Sequence, residues 1–124
     1  MNVVDSSAWL EYFVDGPNAD FFSSAIEDVS NLIVPTICLY EVFKKVLMEK
    51  DEAEAFRSIA QMKQGHVADL DEDTALSAAR ISMENKIPMA DSIILATAKS
   101  HKATLWTQDE HFKEMAGVKF RQKK

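Results

Sequence analysis

A chain of 124 residues, 47% hydrophobic and 27% charged, has the size of one compact domain and enough apolar mass for a core. A single cysteine, Cys38, excludes a disulfide framework and a thiolate metal cluster, and a formal charge of −6 argues against broad electrostatic adhesion to nucleic acid unless a divalent cation masks the carboxylates. The opening "MNVVDSSAWLEYF" lacks a basic n-region and no apolar run reaches the roughly 18 residues of a membrane span, so one cytoplasmic domain over residues 1–124 is expected.

The segment "NVVD", residues 2–5, is short and β-branched and predicts a strand, and "SSAWLEYFV" predicts a helix capped by Ser6 or Ser7. Pro17 suits the first turn of a second helix over 17–29, with Phe21, Phe22, Ala25 and Ile26 on one face. "NLIVP" predicts the next strand. From Thr36 a long helix runs to Lys50 with Leu39, Val42, Phe43, Val46 and Leu47 as its core stripe, and residues 51–63 form an antiparallel partner that ends near Gly65. "HVADL" predicts a third strand, and the helix over 72–86 is closed off by Pro88. A further helix through "MADSIILATAKS" leads to the strand "ATLWT", residues 103–107. A short helix over 109–116 ends at Gly117, "VKF" forms an edge strand, and "RQKK", residues 121–124, is a basic tail expected to be disordered. Strands alternating with helices predict a three-layer α/β/α domain with a mainly parallel central sheet.

In such a sheet reactive groups collect beyond the carboxyl ends of the strands. Asp5 ends the first strand and Asp109 follows the strand "LWT" by two residues, so both belong to that edge. Asp91 starts its helix in line with Ile94, Leu95 and Ala98, which points it along the core-facing stripe, where the helix dipole favours a carboxylate. The same position suits an N-cap worth about 1 kcal/mol, and spacing alone leaves both roles open. Glu41, with Lys44 and Lys45 one turn on, reads from spacing as a solvated glutamate, and Asp5 and Asp109 read equally well as turn or cap residues.

Taken together, "VVDSSAWLEYF", the glutamate of "CLYEVFKKV", "MADSIILATA" and "LWTQDEHF" resemble, in order and over essentially the whole chain, the PIN-domain ribonucleases, and specifically the VapC-type toxins of toxin–antitoxin pairs. The resemblance implies that Asp5, Glu41, Asp91 and Asp109 form an acidic pocket holding Mg²⁺ or Mn²⁺, with Ser7 and Thr107 orienting ligands and water. It also implies an endoribonuclease that hydrolyses RNA phosphodiester bonds, homodimerisation, and a small VapB-like antitoxin that occludes the pocket. The last loop departs from the family pattern, because some relatives carry a further acid where this chain has His111 and Phe112. Four acids without a His or Cys cluster suit hard divalent cations, which take oxygen ligands, and do not suit zinc.

The remaining chemistry-bearing residues read more plainly. His66, His101 and His111 lack partners at ligand or triad spacing and are expected to be structural or exposed, His111 alone lying near substrate. Trp9, Tyr12 and Phe13 read as core or dimer interface, and Met48, Met62, Met83, Met89 and Met115 as gap-filling core. Lys44 and Lys45 are candidates for steering RNA phosphate. A haloacid-type phosphatase would need a second aspartate where Ser7 stands. A phospho-acceptor receiver would need paired acids after the first strand and a lysine after a late one. A non-catalytic PIN-like module that binds RNA or antitoxin has no reason to concentrate four acids in one pocket.

Overall fold

The β-branched runs are short, and so are the strands they make. The computed structural model describes residues 1–124. Along the chain lie β1 (Asn2–Val4), α1 (Ser6–Phe13), α2 (Ala19–Ile26), β2 (Leu32–Pro35), α3 (Thr36–Glu49) and α4 (Glu52–Met62). After them come β3 (His66–Ala68), α5 (Glu72–Asn85), α6 (Met89–Ser100), β4 (Thr104–Thr107) and β5 (Val118–Phe120). Single 3₁₀ turns occupy Val29–Asn31 and Glu110–Phe112.

The five strands form one sheet in the order β3-β2-β1-β4-β5, and every neighbouring pair is parallel. With six helices flanking it, this is the three-layer α/β/α arrangement expected from the alternation of elements. The three inner strands are covered on both faces, and Val3, Val4, Ile33, Val34 and Leu105 are all within 1% of complete burial. The helix α6 is buried without a break from Ile94 through Ala98, which makes it the most enclosed helix of the domain. No helix is long and apolar enough to cross a membrane.

Several expected boundaries shift for physical reasons. The second helix begins at Ala19, with Asn18 at its cap, so Pro17 stands in the preceding turn, and the helix stops at Ile26 before the first 3₁₀ turn. The helix expected over 109–116 is reduced to the turn Glu110–Phe112, after which Glu114 and Gly117 take left-handed backbone angles that end any helical run. Of the methionines read as core, Met62 is fully buried, whereas Met48, Met83 and Met89 are exposed. Leu47, placed in the core stripe of α3, is also exposed. Periodicity identifies a stripe, but only the neighbouring elements decide whether anything covers it. The segment after β5 is tied to the body, since the Arg121 amide donates to the Thr107 carbonyl at 3.0 Å and the Arg121 guanidinium stacks 4.3 Å over the Phe21 ring.

The winding of the sheet creates the opening at which a site can form. From β1 the chain moves outward through β2 to β3, then returns to lay β4 against the other side of β1. The direction of winding therefore reverses between β1 and β4, and in open parallel sheets that reversal opens a crevice at the carboxyl ends of the strands.

Candidate functional site

Asp5 leaves β1 and enters α1 at this crevice. It stands at the helix cap in extended conformation, yet its side chain makes no capping bond. Its Oδ2 instead accepts from Ser7 Oγ at 2.7 Å and from Thr107 Oγ1 at 2.9 Å, the latter reaching across from β4. Neither Ser6 nor Ser7 caps the helix as expected, because both hydroxyls turn to carboxylates: Ser6 Oγ donates to Glu41 Oε1 at 2.7 Å. Glu41 thus projects from α3 toward the start of α1 and is not a freely solvated residue.

Asp91 lies in the first turn of α6, 9% exposed, and also makes no bond to its own helix. Its Oδ2 is 2.7 Å from His111 Nδ1, and the same nitrogen lies 3.2 Å from Asp109 Oδ1. Asp109 does cap, since its Oδ1 accepts from the His111 backbone amide at 2.9 Å, while its own amide donates to Thr107 Oγ1 at 2.9 Å. The ligand atoms of Asp91, Asp109 and His111 fall within 4.8 Å of one another. His111, whose sequence context offered little, is therefore the residue that joins two of the four acids.

The electrostatics tie all four together. Burial pushes Asp5 up to about 6, against the hydrogen bonds from Ser7 and Thr107, with the charges of Asp91 and Asp109 adding to the rise. Glu41 is raised by burial, opposed by Ser6 and reinforced by Asp91 and Asp109. Asp91 is raised by burial, opposed by its bond to His111 and reinforced by Asp109. His111 is raised by its bond to Asp91 and then by the charge of Asp109. No lysine or arginine is ion-paired with any of the four carboxylates. Lys45 pairs with Glu49 at 3.0 Å and Lys44 lies 5.7 Å from the Tyr40 ring, so neither candidate steering lysine neutralises the cluster. A donor set dominated by hard oxygens, with no lysine or arginine paired to it and only His111 beside Asp91 and Asp109, fits a hard divalent metal ion.

Two further contributors carry no signal in the sequence. Gln108, between Thr107 and Asp109, is 6% exposed and donates from Nε2 to the Ser7 carbonyl at 3.4 Å. Asn18, 1% exposed, donates from Nδ2 to Gln108 Oε1 and to the Gln122 carbonyl, each at 3.0 Å. Both residues occur in connections, where a lone amide looks like any solvated turn residue.

Comparison with known structures bears on this geometry. The chain resembles a toxin–antitoxin complex from Klebsiella pneumoniae at 22% identity and TM-score 0.81, with 96% of each chain covered. It resembles FitAcB from Neisseria gonorrhoeae at 24% identity and TM-score 0.75, covering 97% of this chain and 96% of that one. It also resembles Mycobacterium tuberculosis VapC20, a sarcin–ricin loop cleaving toxin, at 12% identity and TM-score 0.76, covering 94% and 95%. A search of curated protein sequences returned no match. At these identities the structures speak for the fold alone. The family comparison reaches further, because residues 3–118 match the PIN domain, and the chain belongs to the PIN-domain family.

Proposed function

We propose that this protein is a metal-dependent endoribonuclease and the toxin of a type II toxin–antitoxin pair. The observation that carries the reading is that Asp91, Asp109 and His111 bring ligand atoms within 4.8 Å of one another, while Asp5 and Glu41 are coupled by charge to both aspartates and no lysine or arginine pairs with any of the four acids. Membership of the PIN family supports nuclease chemistry. The likeness to toxin–antitoxin complexes supports a small VapB-like antitoxin as partner, and the cleaving activity named for the mycobacterial relative supports RNA as substrate.

In this reading Asp5, Glu41, Asp91 and Asp109 hold Mg²⁺ or Mn²⁺, which when bound supplies water activation and charge neutralisation at the leaving 3′-oxygen. The protein's own part is orientation. Ser7 and Thr107 fix the Asp5 carboxylate from two sides, and Ser6 fixes Glu41. His111 holds Asp91 by one oxygen while its half-exposed ring remains at the mouth of the site. Lys44 and Lys45, both exposed on α3, contact RNA phosphate, and two copies associate as a homodimer in the cytoplasm.

Incubating RNA with the antitoxin-free protein tests this directly. Cleavage is expected with Mg²⁺ or Mn²⁺, loss of cleavage with EDTA, and loss again in Asp91→Asn, whose metal-free fold should melt no lower than wild type because a buried carboxylate has been removed. Absence of cleavage on every RNA, combined with absence of metal binding, overturns the reading. Unfolding of the Asp91→Asn protein would assign Asp91 to structure.

A further inference from the structure

The acids at the crevice come from four separate segments, and something must hold those segments in register. Ser7 and Thr107 do so at Asp5, but the loop that carries Asp109 connects two strands by ten residues, 108–117, with only a single 3₁₀ turn between them. Parallel strands are usually joined through a helix that packs on the sheet, and this connection has none. The loop is instead held by the fully buried Phe112 ring, by the contact of His111 with Asp91, and at its first residue. Gln108 is held on one side by the Ser7 carbonyl and on the other by Asn18. Asn18 in turn holds the Gln122 carbonyl, and the Arg121 amide beside it bonds the Thr107 carbonyl. One nearly fully buried amide therefore meets segments 90 and 104 residues away in sequence.

Burying an amide in an apolar interior is unfavourable unless its hydrogen bonds are made, and here the Asn18 Oδ1 is buried with no partner. An apolar side chain at position 18 would avoid that cost. The side chain does not serve its own helix either, for α2 receives no capping bond from it. What the two Nδ2 bonds do is fix a distance, between the residue that separates Thr107 from Asp109 and the chain beyond β5.

We propose that Asn18 is a positioning residue of the acidic site: through Gln108 it locks the loop bearing Asp109 to the start of α1, which bears Asp5 and Ser7, and it uses Gln122 as its second anchor. This rests on the reading of the acids as a metal centre and adds the device that sets their spacing. Loss of the Nδ2 donors leaves the four carboxylates in place and loosens their arrangement, so the effect falls on metal affinity and turnover and not on substrate affinity.

The experiment compares wild type with Asn18→Ala and Gln108→Ala, each first shown to be folded at the assay temperature by its melting curve. Binding of Mn²⁺ alone is followed by electron paramagnetic resonance, and RNA cleavage in Mn²⁺ gives kcat and KM. Each variant is expected to bind Mn²⁺ about tenfold more weakly and to lose ten- to a hundredfold in kcat at unchanged KM. In an Asp109→Asn background, Asn18→Ala should weaken Mn²⁺ binding no further, which a general loss of stability would not predict. Unchanged Mn²⁺ affinity in folded Asn18→Ala, or an equal loss with and without Asp109, overturns the proposal. The Mn²⁺ arm decides it even where no RNA is cleaved, so its failure is distinct from failure of the nuclease reading.

Discussion

Asp5 shows how a single side chain links chemistry to stability. Its carboxyl is raised to about 6 from an ordinary 3.8 because folding removes it from water, and the neighbouring acids add to the rise. A group whose folded value lies above its unfolded value favours the fold in its protonated form. Its contribution is complete below pH about 4 and is lost as pH rises through about 6, a difference of about 3 kcal/mol at full ionisation. Glu41, Asp91 and His111 are shifted in the same direction. With EDTA present, the melting temperature of wild type is expected to fall between pH 4.5 and 7.5, and Asp5→Asn should flatten that slope and melt higher at the upper end. A melting temperature that rises over this range in wild type would contradict the assignment. Added Mn²⁺ should restore the loss at pH 7.5, because an ion that binds only the folded state stabilises it by mass action.

Aspartates begin several helices in this chain, and the helices distinguish them. Asp51 and Asp71 accept from the amides of Glu54 and Thr74, the ordinary capping bonds of α4 and α5. Asp5 and Asp91 stand at the starts of α1 and α6 and make no such bond. Replacing Asp51 or Asp71 by alanine is expected to lower the midpoint of denaturant unfolding and to leave RNA cleavage unaltered, whereas Asp5→Ala and Asp91→Ala should abolish cleavage. This contrast also marks what is legible in the sequence. The order and type of nearly every element follow from period and punctuation, and Asp5 and Asp109 can be placed on one edge by strand ends alone. Glu41 cannot, since its spacing fits a solvated helix face and only resemblance to a family points to it. Asn18, Gln108 and Ser6 leave no trace, because a hydrogen bond spanning 90 residues imposes no local pattern. The exposed Met83 and Met89 look like core in the sequence for a related reason: apolarity alone does not say whether a neighbouring element covers the side chain.

The domain as a whole leaves apolar side chains in solvent on α5, where Leu76 and Met83 are seven residues apart and 67% and 74% exposed, so they share one face of the helix. In the proposed homodimer such a face would be covered. Sedimentation should then give about twice the 13.9 kDa chain mass, and Leu76→Glu combined with Met83→Glu should give the single-chain mass with the fold intact. Equal sedimentation of the two proteins would remove α5 from the interface. The reversal of winding beside β1 has a consequence in time as well as in space. Asp5 is synthesised almost at once, but the strand that brings Thr107 and Asp109 to it emerges six helices later. A growing chain on the ribosome therefore holds its first acid with nothing opposite, and the crevice acquires its full set of acids only after synthesis has passed Asp109.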